Sequence, residues 1–142
     1  MQPADRLNAI LRNALVAGAA SLTHRERSVF YLNVFLIEFD SGGLTGFLYN
    51  ACRSEPGPEW TAVGNTIAAL NAVDATPTAL ALSRALEILR AVPATPDDET
   101  WVAFLVQIDP AGELDAIHSQ IETVSETLWD RLYAEASSLP VE

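Results

Sequence analysis

Two histidines, one cysteine and nineteen side-chain carboxylates are the groups in this 142-residue chain that could carry chemistry. A zinc site needs His or Cys ligands gathered at short spacing, but His24 and His118 are far apart and neither has a Cys or His neighbour. Both read as surface residues, His24 at a helix N-terminus and His118 on the flank of the last helix. Cys52 forms no internal disulfide, which suggests a reducing compartment, and it reads as a small core or boundary residue. Glu38 and Asp40 are two residues apart and cannot share a helix face, so paired-carboxylate catalysis gains no support. Ser41 before Gly42 lacks the strand–turn–helix context of a nucleophile elbow. Gly42-Gly43 lacks the strand and lysine of a phosphate-binding loop. The expectation is a protein without catalytic residues, metal or cofactor.

The charge distribution points elsewhere. The chain has no lysine and a net charge of −11. Residues 1–96 hold eight acids and seven arginines, whereas residues 97–142 hold eleven acids against Arg131 alone. An asymmetry of this size bears on partners rather than on fold. It disfavours direct nucleic-acid binding and favours a basic protein partner. The candidate partner-binding residues are Asp97, Asp98, Glu99, Asp109, Glu113, Asp115, Glu122, Glu126, Asp130 and Glu135.

Helices must position these groups, because no stretch shows strand alternation. The spacing predicts a first helix over Ala4 to about Ala19, with Leu7, Ile10, Leu11 and Leu15 inward. Ala14 to Ala20 loosely resembles the end of a signal peptide, but the polar residues before it favour an amphipathic helix. A second helix runs from Thr23 to Ser41 and a third from Leu44 to Cys52. A fourth begins near Pro58 or Glu59 and reaches Val73, with Trp60, Val63, Ile67 and Leu70 on one side. Thr76-Pro77 supplies a cap and first helical residue for a fifth, carrying Leu80, Leu82, Leu86 and Leu89 to about Val92. Thr95-Pro96 repeats that signal for a sixth, with Asp97, Asp98 and Glu99 in its first turn and Trp101, Phe104, Leu105 and Ile108 inward. Trp60, Trp101 and Trp129 read as core or boundary residues.

Asp109-Pro110 opens the last helix, from Glu113 to about Glu135. Leu114, Ile117, Ile121, Val124, Leu128 and Leu132 fall within one sector of about 80° at 100° per residue. Asp115, Glu122, Glu126 and Asp130 fall in an opposite sector of about 80°. The like charges at i,i+4 oppose the helix by about 0.2–0.5 kcal/mol per pair.

The remaining helices are expected to pack around Thr23–Asn50. Thr23 and Glu26 have the form of a capping box. Val29, Phe30, Leu32, Val34, Phe35, Leu36, Ile37 and Phe39 leave that helix almost no polar face, as in a central buried helix. Gly42 and Gly43 accept positive φ, so the chain turns sharply there. Asn50 closes the segment as a structural cap or turn bond.

The run from Glu38 to Asn50 resembles the core motif of a bacterial family of unknown-function domains, E-[VI]-x-N-G-G-[FL]-x-Q-[FY]-x-x-N. Glu38, Gly42, Gly43, Leu44, Phe47 and Asn50 fit it; Ser41 and Gly46 stand where the family has Asn and Gln. Ala69-Leu70, Val73, Ala75 and Ala79 resemble the family's second block, A-L-x-x-I-G-A, with Asp74 in place of its glycine. The resemblance covers about residues 20–135. The family includes a protein described as a DNA mimic, a dimer that occupies the DNA-binding surface of a repressor. It therefore implies an interaction protein, with Glu38, Gly42, Gly43, Phe47 and Asn50 in structural roles.

The expectation is one all-α, compact domain over residues 1–142, with about six to eight helices. It is a non-enzymatic, cytoplasmic, acidic protein, without a membrane segment and with homodimerisation open. It would bind a basic partner such as a transcription factor, as a DNA mimic would. An immunity-type protein that neutralises a toxin is the alternative, and an enzyme the third reading.

Overall fold

The computed structural model describes residues 2–139, and its architecture is all-α. Among these residues six α-helices follow in order: α1 (Pro3–Ala17), α2 (His24–Ser54), α3 (Thr61–Ala72), α4 (Thr76–Arg90), α5 (Trp101–Ile108) and α6 (Glu113–Ser138). A short 3₁₀ turn, Ala19–Ser21, joins α1 to α2. No strand occurs among the described residues, and no helix there is long and apolar enough to cross a membrane.

The core is built on α2, which packs against α1, α3 and α6; α4 closes the far side against α3 and α6. The capping box forms, with Thr23 Oγ1 accepting from the Glu26 N–H and Glu26 Oε1 accepting from the Thr23 N–H. At Gly43 the backbone leaves the helical region, with φ 70° and ψ −169°. The two arms then lie side by side. The Phe35 and Phe47 rings meet edge to face at 4.8 Å, and the Tyr31 hydroxyl lies 3.5 Å from Glu55 Oε1. In a straight helix residues 31 and 55 would be about 36 Å apart. The sharp turn is therefore real, but Gly43 alone makes it, because Gly42 stays helical.

Several expected details differ. Leu15 is 86% exposed and Ala14 faces inward in its place, because Ala14 continues the three-and-four spacing of Leu7 and Ile10. Leu80 is 66% exposed; the buried face of α4 centres on Leu82, Ala85 and Leu89, and Leu80 lies about 180° from that centre. The helix expected from Pro58 or Glu59 begins at Thr61, because Trp60 takes a left-handed conformation, φ 54°. Asp97, Asp98 and Glu99 precede α5 in a turn instead of lying in its first helical turn. Val124 sits at the rim of the buried sector of α6 and is 36% exposed. Asn50 is exposed within α2, where the backbone continues as helix, so it caps nothing. Cys52 is buried, and burial pushes its thiol above the ordinary value.

Candidate functional site

At the turn made by Gly43 the Leu44 N–H donates outside its own helix. His118 of α6 supplies the acceptor, its Nδ1 lying 3.1 Å from that nitrogen. The imidazole stacks on Phe39 at 4.8 Å between ring centroids, and its Nε2 lies 3.4 Å from Glu122 Oε2. His118 is thus no mere surface residue. It fills the space that a side chain at Gly43 would need, since a Cβ there would stand 2.9 Å from His118 Cε1. The helical spacing held the signal, because His118 is four residues after Leu114 and three before Ile121, on the flank of the buried face.

Five of the ten candidate acids are held by arginines or by capping and turn bonds. Asp109 caps α6: its Oδ1 accepts from the Glu113 N–H and its Oδ2 from the Leu114 N–H, each at 2.8 Å. Asp97 closes the turn before α5 by accepting from the Thr100 hydroxyl and N–H, each at 2.9 Å. Those bonds hold its carboxyl below the ordinary value, with the hydroxyl bond the largest cause. Glu113 takes Arg84 in a forked pair at 2.5 and 2.9 Å, and the guanidinium's hydrogen bonding depresses the Glu113 carboxyl. Glu135 pairs with Arg25 at 3.1 Å. Asp98 pairs with Arg53 and accepts from the Tyr49 hydroxyl at 2.5 Å.

The other five are Glu99, Asp115, Glu122, Glu126 and Asp130, all exposed. No arginine pairs with any of them among the described residues, and four of them lie along α6. Asp115 and Asp130 are about 22 Å apart along its axis. Asp40 of α2 comes to the same helix, where its Oδ2 accepts from the Trp129 indole N–H at 3.0 Å. The structure therefore keeps Asp115, Glu122, Glu126 and Asp130 together as one exposed row, holds five of the other six in structural bonds and leaves Glu99 exposed in the turn before α5.

Arg53 was not singled out by the sequence, yet it organises the α5 end. Its guanidinium lies 3.9 Å from the centroid of the Tyr49 ring, and Tyr49 meets Trp101 edge to face. Trp60 stacks with Phe104 behind them; its indole N–H is buried without a hydrogen-bond partner among the described residues.

The motif residues divide as well. Phe47 is buried, Gly43 makes the turn, and Gly42 has open space where a Cβ would stand. Glu38 is half-buried toward α3, and burial raises its carboxyl above the ordinary value. No three His, Cys, Asp or Glu side chains among the described residues gather as metal ligands would.

No curated protein sequence and no solved structure matches this chain. A family match covers residues 20–137, from the 3₁₀ turn before α2 almost to the end of α6, and takes in both the Gly43 turn and the acidic row. By that match the chain belongs to the DMP19-like protein family.

Proposed function

We propose that this protein is a non-enzymatic interaction protein that offers the acidic row of α6 to a basic partner, a DNA-binding regulator held through its nucleic-acid surface. The observation that carries this reading is the survival of Asp115, Glu122, Glu126 and Asp130 as an exposed row without arginine partners, while Arg25, Arg53 and Arg84 pair with other acids. The DMP19-like family membership supports it. Opposed charge on such faces speeds encounter and selects partners more than it adds affinity.

Magnitude sets the size of the mimic. Duplex DNA carries about thirteen charges over 22 Å of axis, and one α6 offers four carboxylates. A second copy of the chain, with its own row, brings the surface nearer to a duplex.

The test uses immobilised protein to capture partners from lysate of the native cell at low and high salt. The variant Glu122→Gln, Glu126→Gln, Asp130→Asn runs beside it. A basic DNA-binding protein should be retained by the wild type and released by the variant. With that partner purified, the variant should associate more slowly and with a flatter salt dependence. Unchanged capture, rate and salt slope would reduce the row to a solvated surface.

A further inference from the structure

A cavity of about 270 Å³ lies on another side of α2, between its two arms and α3. Phe30 and Val34 of the first arm and Phe47 and Ala51 of the second make its apolar walls. Ser54 and Thr66 also reach it, but their hydroxyls are spent on the Ala51 and Ala62 carbonyls of their own helices.

Two carboxylates line the cavity without a cation among the described residues, and they stand toward opposite ends. Glu38 lines the cavity at the end nearer the Gly43 turn. Glu55 lines it at the other end, beside the Tyr31 hydroxyl at 3.5 Å. Residues 31 and 38 are about 10 Å apart along the first arm. Glu38 has no hydrogen-bond donor or cation among the described residues, and burial alone raises its carboxyl. Near the far end, Tyr31 is raised by burial and then by the charge of Glu55. Arg27 is the cation whose charge reaches Tyr31, but its guanidinium donates to the Ala19 and Leu22 carbonyls and pairs with neither carboxylate. A half-buried carboxylate without a partner costs free energy that an incoming cation returns. Aromatic faces beside it suit a cation on an aliphatic stem.

We propose that this cavity binds a linear aliphatic diamine or polyamine, one terminal ammonium at Glu38, the other at Glu55, and the methylenes along Phe30, Val34 and Phe47. The site stands apart from the α6 row and does not depend on what that row binds.

Spermidine is the probe, titrated calorimetrically into the whole protein at low ionic strength. Binding of one molecule per chain is expected. Glu38→Gln and Glu55→Gln should each weaken it about ten- to a hundredfold, as loss of one charge-assisted pair does. A monoamine of matching length should bind about as weakly as those variants, and an uncharged diol not detectably. The variant Glu122→Gln, Glu126→Gln, Asp130→Asn should bind spermidine as the wild type does, which separates this site from adsorption to the acidic row. If Glu38→Gln does not fold, Glu55→Gln and the amine series on the wild type decide the question. Absence of binding at millimolar spermidine overturns the proposal. So does binding of several molecules that is lost in the α6 variant and kept in Glu38→Gln.

Discussion

Gly42 and Gly43 are adjacent and chemically identical, yet alanine should act on them with opposite sign. At Gly43, φ 70° with ψ −169° is a region essentially reserved for glycine, and another residue there costs about 1–3 kcal/mol. The new Cβ would also stand 2.9 Å from His118 Cε1 and 3.2 Å from its Nδ1. The ring has little freedom to retreat, being stacked on Phe39 and bonded to the Leu44 N–H. If it moves, that N–H loses its acceptor in a residue 1% exposed, for about 1–3 kcal/mol more. Gly43→Ala should therefore lose about 2–6 kcal/mol, a large part of the 5–15 kcal/mol typical of a whole domain. Gly42 is helical and nothing lies within 4 Å of its Cβ position. Gly42→Ala should gain about 0.4–1 kcal/mol from reduced freedom of the unfolded chain. Urea midpoints for both variants at constant m-value measure this directly. A double-mutant cycle with His118→Ala then separates the contact from the backbone strain, since only the contact disappears with the ring. Equal effects at the two glycines, or a Gly43→Ala midpoint within error of wild type, would refute the account of the turn.

Other outcomes follow from single contacts. Glu38→Gln should stabilise the protein at neutral pH. Its carboxyl is raised in the fold, so the ionised form is penalised there; the gain should shrink as pH falls and vanish below the ordinary carboxyl value, as denaturation at a series of pH values would show. Asp109→Ala removes the acceptor of two N–H groups at the start of α6 and should cost about 0.5–2 kcal/mol, read from the shift in urea midpoint. Leu128, 2% exposed on the buried side of α6, should cost about 2–5 kcal/mol on truncation to Ala, whereas the acidic triple change on the same helix should leave the melting temperature level or slightly higher.

Local chemistry was legible because its partners lie within a few residues of each other. Thr23 with Glu26 marked the start of α2, and the paired glycines marked its turn. The three-and-four spacing from Leu114 to Leu132 marked the buried side of α6, all five of the expected residues other than Val124 being buried. The same local rules misread Leu15 and Leu80, because helical spacing admits more than one apolar arc and the neighbouring helix selects among them. Asn50 was misread for a related reason: a polar residue after an apolar run resembles a cap, but here the helix runs on to Ser54.

Charge shows the division most sharply. The sequence by itself determined that the acids crowd the last third of the chain, and that an all-helical fold would carry them. Tertiary structure decided which of them remain available. Arg25, Arg53 and Arg84 come from the charge-balanced first two-thirds and fold onto Glu135, Asp98 and Glu113. The Arg25–Glu135 pair closes across 110 residues, and the His118 bond to the Leu44 N–H across 74. Pairings at such separations exist only after the helices have packed, since helical hydrogen bonds fix each element from within about four residues and apolar burial, which is non-directional, chooses how the elements meet.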